Sequence, residues 1–253
     1  MAAEFDILWP AFLAGLLILA THVPLGRLVL DRGIVFVDLA IAQMAGLGVV
    51  VADALGHEPQ GWSVQISAAL AALLGSAFLV WSEKCLPEVQ EAIIGTLFVV
   101  AASAELVLLG FNPHGAEHLK DLLVGQILWV EPARLLWVLG IYAILSVIIW
   151  TTDLVRRRLL FYVVFALAVT VSVQLAGVLL VFASLIVPPL AAKIARSARP
   201  LPLAFGLGVT GYGLGLVGSA LFDLPTGAAI VCALALVACV HATIALSARW
   251  AVS

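Results

Sequence analysis

One segment of this chain limits its possible architectures more than any other. Residues 159–192 form a run of about 34 residues that contains no Asp, Glu, Lys or Arg. Basic residues flank the run on both sides: Arg156, Arg157, Arg158, Lys193, Arg196 and Arg199. A single helix of that length would be about 51 Å long, whereas the hydrocarbon core of a bilayer is about 30 Å thick. It would also carry its two basic flanks to opposite sides, although basic flanks collect in the cytoplasm. We therefore expect the segment to enter the membrane, break near Gln174 to Gly177, and return.

The composition indicates whether the chain lies in water or in a membrane. Of its 253 residues, 64% are hydrophobic and only 11% are charged, and the mean hydropathy is +1.20. A water-soluble domain needs more polar surface than this. The chain is therefore expected to be an integral membrane protein in contact with a lipid bilayer. A net charge of -3 argues against nucleic acid as a partner.

Apolar stretches of about 20 residues predict the membrane spans. They run over Ile7–Leu30, Ile34–Leu55, Trp62–Trp81, Ala92–Gly110, Ala133–Thr151, the broken segment, Leu201–Phe222 and Gly227–Ser247. The predicted fold is all-α, a polytopic helix bundle with about eight or nine crossings, one of them broken. Residues 1–253 are expected to form one transmembrane domain. If the N-terminus faces outward, the strongly basic loops all fall on the cytoplasmic side.

Polar side chains at membrane depth are candidates for a transport path, because an ionisable group in hydrocarbon is costly and usually faces a cavity or another helix. Asp38, Gln43 and Glu105 are the candidates that we select. Asp38 lies near the start of the second predicted helix, where pairing with Arg32 is an equally good interpretation. His22, beside Pro24, is more typical of a packed histidine.

Residues 188–199 are the most interpretable segment. Pro188 and Pro189 predict a change of direction, because proline cannot continue a regular helix. Lys193, Arg196 and Arg199 recur every three residues, so a short helix would carry all three on one face. We interpret this segment as a surface on which a cytoplasmic partner docks.

A second motif lies in a predicted outer loop. His114, Glu117 and His118 form an H-x-x-E-H pattern, which in zinc peptidases supplies two metal ligands and a general base. Here it follows Asn112-Pro113 and has no predicted helix to hold it. A solvated loop is the favoured interpretation, and a loose metal-collecting loop is the alternative.

Gly177–Ala192 (GVLLVFASLIVPPLAA) resembles the signature vGvlLvsaLLiiPaatA of the family of ABC transporter permeases that take up zinc, manganese or iron. Glu117–Val130 is similar to the segment that contains LlfGdiLaV, and Asp223–Val231 matches D-x-P-x-G-x-x-I-V. These stretches occur in the family's order along nearly the whole chain.

The resemblance implies a homodimeric permease subunit in a bacterial cytoplasmic (inner) membrane. It implies that Pro188, Pro189, Lys193, Arg196 and Arg199 couple this chain to a cytoplasmic ABC ATPase. An extracytoplasmic solute-binding protein would deliver the substrate. The ATPase would bind ATP, so this chain would be no enzyme and would hold no cofactor.

The chain departs from the family pattern where the metal would pass. Family members commonly carry D-x-x-x-H on the second helix, and here Asp38 matches the Asp while Ala42 replaces the His, with Gln43 next to it. An ion-coupled secondary transporter that uses Asp38 and Glu105 as relays is therefore the alternative function. The expected function remains import of a divalent metal ion.

Overall fold

The computed structural model describes residues 2–57, 61–109, 127–129 and 132–250. Within these ranges the chain forms nine α-helices. They are α1 (Ala2–Arg32), α2 (Val37–Ala54), α3 (Trp62–Cys85), α4 (Gln90–Leu109), α5 (Pro132–Thr151), α6 (Arg158–Ala176), α7 (Val178–Ile194), α8 (Pro200–Phe222) and α9 (Thr226–Trp250). Seven of these are long and apolar enough to cross a membrane, and shorter apolar helices cover Leu135–Thr151 and Val178–Ile194. The all-α polytopic bundle predicted from the sequence is therefore confirmed.

The uncharged run is split by one glycine. Helix α6 ends at Ala176 and α7 begins at Val178, so Gly177 alone connects them. Its φ of 78° and ψ of 160° lie in a region that is essentially restricted to glycine. The break predicted between Gln174 and Gly177 is therefore confirmed.

The two halves of the run return to the same end of the bundle. Arg32, the last residue of α1, donates hydrogen bonds to the carbonyl oxygens of Leu154 (2.8 Å) and Val155 (3.1 Å), just before α6. Its guanidinium also lies 4.0 Å from the ring centroid of Phe161, in the first turn of α6. Lys193, in the last turn of α7, contacts Asp31 at 3.0 Å. The start of α6 and the end of α7 therefore both meet the end of α1, and the two helices run in opposite directions.

Other helix ends join the same cluster. Arg158 at the start of α6 pairs with Glu83 near the end of α3 at 3.6 Å. The Ser82 hydroxyl donates to the Gln90 side-chain oxygen at 2.9 Å and so joins α3 to α4. We call this end, which carries Arg27, Arg32, Arg158, Lys193 and Arg196, the basic end. Its charge distribution is the one that the sequence predicts for a cytoplasmic surface.

Glycines allow close packing of the last two helices. A Cβ atom added at Gly215 would lie 2.8 Å from the Ile230 backbone nitrogen and 2.9 Å from Ile230 Cγ1. A Cβ atom at Gly211 would lie 3.0 Å from Leu234 Cα. The Gly211 to Gly215 spacing is the small-xxx-small pattern that lets helix backbones approach. The pattern therefore serves packing of α8 against α9 within one subunit.

Candidate functional site

Pro188 and Pro189, in the segment predicted to dock a partner, do not end a helix. Helix α7 continues through Pro188 and Pro189 to Ile194, so the predicted change of direction at these residues is wrong. Proline removes the donor to the carbonyl four residues earlier, which here is Leu185 for Pro189. The carbonyl oxygen of Leu185 faces Gly26 of α1, where no side chain stands in the way. Close packing against α1 therefore accommodates the proline pair inside the helix.

The predicted short helix over the three cations is also wrong. Helix α7 ends one residue after Lys193, and Arg196 has a positive φ of 48°. The Ser197 N–H donates to the Ala192 carbonyl at 3.4 Å and the Arg196 N–H to the Lys193 carbonyl at 3.1 Å. This pair of bonds is a Schellman motif, in which glycine is the usual residue at the left-handed position. The chain then leads through Arg199 into α8, so one helical face cannot carry all three cations.

The cations nevertheless stay together at the basic end. Lys193, Arg196 and Arg199 are all exposed. The Lys193 ammonium donates to the Leu30 carbonyl at 3.1 Å and to Asp31 Oδ1 at 3.0 Å. Lys193 therefore caps the end of α1, where the last carbonyl groups have no donor within their helix.

A cavity of about 220 Å³ opens between the ends of α1 and α7 and the start of α8. Its floor is apolar, with Leu30, Pro189, Ala192, Leu201 and Ala204. Its polar lining residues are Arg27, Asp31, Lys193, Arg196 and Ser197. Three cations and one carboxylate around an apolar floor suit a partner surface that offers an acidic side chain beside an apolar one. Arg27 and Asp31, which the sequence pattern did not predict as site residues, therefore also line this cavity.

The second candidate region lies on α2 and α4. Asp38 lies in the first turn of α2 with 1% of its surface exposed, and its Oδ1 atom is buried with no hydrogen-bond partner. The alternative partner, Arg32, binds Leu154 and Val155 instead. An unpaired buried carboxyl oxygen is costly, which marks Asp38 as a position that needs another partner.

Glu105 occupies a comparable position farther along the bundle. It is 3% exposed, and its Oε1 atom is buried with no hydrogen-bond partner. This oxygen packs directly against Gly46 of α2, in space that a side chain at Gly46 would fill. Gln43, one turn before Gly46, is also buried. The absence of a side chain at Gly46 therefore makes room for the carboxyl group of Glu105.

The structure does not bring Asp38 and Glu105 together. Asp38 precedes Gly46, the neighbour of Glu105, by eight positions, which is about 12 Å along a helix axis. Among the described residues, no three His, Cys, Asp or Glu side chains are grouped closely enough to hold a metal ion. Asp38 and Gln43 lie on α2, and Glu105 of α4 packs against Gly46 of α2. The three candidates therefore lie at successive levels from the basic end toward the middle of α2, an arrangement that suits successive contacts along a path.

Two further predictions concern histidines. His22 is fully buried, and its Nδ1 lies 3.0 Å from both the Ile18 carbonyl oxygen and the Thr21 hydroxyl. These contacts agree with the packed histidine expected from the sequence. His114, Glu117 and His118 lie outside the described residues.

Comparison with known proteins places the chain among transport proteins. The family model described as the ABC 3 transport family matches residues 4–159 and 153–245. The high-affinity zinc uptake system membrane protein ZnuB of Haemophilus influenzae is 24% identical over an alignment of 250 positions, which covers 90% of this chain and 93% of that protein.

Solved structures show the same fold. A chain of PsaBC from Streptococcus pneumoniae, solved in complex with Fab, matches with a TM-score of 0.75 at 22% identity and covers 95% of each chain. A transporter described as metal-chelate type, in an inward-facing conformation, matches with a TM-score of 0.71 at 16% identity over 94% of this chain and 85% of that chain. Because the family model spans nearly the whole chain, the protein belongs to the ABC 3 transport family, as a membrane permease rather than an enzyme.

Proposed function

We propose that this chain is the permease subunit of an ABC importer for a divalent metal ion, working as a homodimer in a bacterial inner membrane. The zinc uptake protein with which it shares 24% identity supports the choice of substrate class. ATP would be bound by a separate ATPase, and an extracytoplasmic solute-binding protein would deliver the ion. Family membership favours this function over the alternative of an ion-coupled secondary transporter.

The observation that carries the proposal is the composition of the basic end. Residues 188–199 contain three exposed cations, of which Lys193 and Arg196 line the cavity. They lie at the end of the bundle where other basic residues also meet. Under the positive-inside rule this end faces the cytoplasm, where an ATPase would be. We assign Pro188, Pro189, Lys193, Arg196 and Arg199 to the coupling segment on this basis.

Charge reversal tests the docking surface. In Lys193→Glu/Arg196→Glu, the ATPase is expected to be lost when the complex is purified through a tag on the permease, because two attractive charges become repulsive. Arg156→Glu is the matched control, since Arg156 is an exposed cation at the same end whose nearest acidic partner is Asp153 at 3.2 Å. Equal recovery of the ATPase with both variants would contradict the docking assignment.

We further propose that Asp38, Gln43 and Glu105 line the translocation path. The buried oxygen atoms of Asp38 and Glu105 that lack hydrogen-bond partners support this role, because a passing cation would supply the missing interaction. Carboxylates and an amide without a histidine favour no single metal strongly.

Cellular metal content tests the substrate. Zinc, manganese and iron are measured in a strain that lacks this gene and is grown under metal limitation, with the complemented strain as control. A specific loss of one of the three metals is expected. Unchanged content of all three would refute metal import.

A further inference from the structure

Helix α1 is joined to the coupling segment at two levels, and this connection has a mechanical consequence. We propose that α1 and α7 move as one unit, with Gly26 and Asp31 as the positioning residues that carry the movement of the coupling segment into the membrane. The proposal rests on the assignment of residues 188–199 as the coupling segment. It adds α1 as the helix that takes up the movement of the coupling segment.

The first connection is a backbone contact. Pro189 leaves the Leu185 carbonyl without its helical donor, and this carbonyl lies against Gly26. A Cβ atom at Gly26 would overlap the Leu185 oxygen, lie 2.9 Å from the Leu185 carbonyl carbon and lie 3.2 Å from Pro189 Cγ. Contacts between a Cα–H group and a carbonyl oxygen recur where helices approach this closely. A displacement of the proline pair toward α1 therefore meets backbone atoms, which cannot rotate away.

The second connection is polar and lies at the membrane surface. The Lys193 ammonium donates hydrogen bonds to the Leu30 carbonyl oxygen at 3.1 Å and to Asp31 Oδ1 at 3.0 Å. Arg27 lies 3.9 Å from the same Asp31 carboxylate. Each of these exposed contacts is weak alone. Together with the Gly26 contact, they fix α7 to α1 at two heights about one turn apart.

Helix α1 in turn leads to the candidate path. Only residues 33–36 separate it from α2, and Gly33 has a positive φ of 72°. Asp38 lies in the first turn of α2, six positions after Arg32. Arg32 also binds the carbonyl groups of the connection before α6. A shift of the end of α1 would therefore act on Asp38 and on the start of α6 at once.

Substitution of Gly26 tests the backbone contact. The complex with its ATPase and binding protein is reconstituted in proteoliposomes, and ATP hydrolysis and uptake of radioactive zinc are measured together. In Gly26→Ala, the ATPase is expected to co-purify as in the wild type, while zinc uptake per ATP falls several-fold. Gly206→Ala is the matched control, because a Cβ atom there meets nothing within 4 Å. Unchanged uptake per ATP in Gly26→Ala, or an equal loss of hydrolysis and uptake, would overturn the proposal.

A cross-link keeps the test decisive if Gly26→Ala does not fold. Cys85, Cys232 and Cys239 are first replaced by Ser. The substitutions Asp31→Cys and Lys193→Cys are then introduced, and a short bifunctional thiol reagent joins the two new cysteines. The unjoined protein lacks the contact between Asp31 and Lys193 and should show lower uptake per ATP than the wild type. If the helices move as one unit, joining the two cysteines restores this uptake, and uptake that joining leaves unchanged contradicts the proposal. If the helices slide during transport, joining stops uptake and the proposal is wrong.

The outcomes also separate this inference from the proposed function. Failure of the wild-type permease to bind the ATPase would refute the coupling segment itself. If the wild type binds the ATPase but does not move zinc, the same variants are compared by how strongly the binding protein stimulates ATP hydrolysis. A several-fold loss of this stimulation in Gly26→Ala supports the inference, and full stimulation refutes it.

Discussion

Two glycines in α8 differ in what a methyl group would meet, which allows a matched prediction. Gly215 packs on the backbone of Ile230 in α9, whereas a Cβ atom at Gly213 meets nothing within 4 Å. We expect Gly215→Ala to destabilise the bundle and Gly213→Ala to stabilise it. The two substitutions are chemically identical and lie two residues apart in one helix.

The magnitudes follow from two terms. Alanine is more favourable than glycine inside a helix by about 1 kcal/mol, and this gain applies at both positions. Extra atoms in a tightly packed contact cost about 1–3 kcal/mol, and this cost applies at Gly215 alone. The unfolding free energies of the two variants should therefore differ by about 1–3 kcal/mol, which is about 5- to 150-fold in the equilibrium constant.

Reversible unfolding in mixed micelles of a mild detergent and dodecyl sulfate, followed by circular dichroism, measures this difference. Gly211→Ala should behave like Gly215→Ala, because Leu234 Cα would lie 3.0 Å from its Cβ. Equal unfolding free energies for Gly213→Ala and Gly215→Ala would refute the reasoning. So would a Gly215→Ala protein that is the more stable of the two.

Three further predictions concern polar groups. Tyr212→Phe removes the 2.8 Å contact with the Ser184 hydroxyl and should cost about 1 kcal/mol in the same unfolding assay, since Ser184 keeps its bond to the Leu180 carbonyl. Arg32→Lys replaces the planar guanidinium that binds the Leu154 and Val155 carbonyls, so the connection before α6 should loosen. A cysteine in place of the buried Leu154 should then react several-fold faster with a water-soluble thiol reagent in the Arg32→Lys protein than in the protein that keeps Arg32. An unchanged rate counts against this role of Arg32. Glu105→Gln should reduce zinc uptake several-fold while ATPase binding persists, whereas Glu91→Gln, exposed at the start of α4, should not; equal uptake in both variants would exclude Glu105 from the path.

Hydrophobic segments predicted the helices closely, because membrane thickness fixes their length. The span predicted at Leu201–Phe222 corresponds to α8 at Pro200–Phe222, and the span at Ala133–Thr151 to α5 at Pro132–Thr151. The fold-back of residues 159–192 also followed from charge and length alone. These features depend on the bilayer and on local sequence, and both are visible in a single chain.

Features that depend on contacts between distant helices were not predictable. Pro188 and Pro189 remain inside α7 because Gly26, far away in sequence, accepts the close approach of the Leu185 carbonyl. Asp31 was not selected, although Lys193 binds it 162 residues away. Arg196 takes a left-handed conformation that a sequence pattern assigns to glycine. For the proline pair and for Asp31, a contact between residues far apart in the sequence decides the structure.

The single-residue turn at Gly177 also has a consequence at the end of the bundle opposite the basic end. Helix α7 has 17 residues and the neighbouring α8 has 23, a difference of about 9 Å in helix length. The turn is buried, since Ala176 and Val178 on either side of it are 0% and 4% exposed. A connection of one residue adds few backbone polar groups that would need partners away from water. The two uncharged helices can therefore meet inside the bundle rather than at its surface.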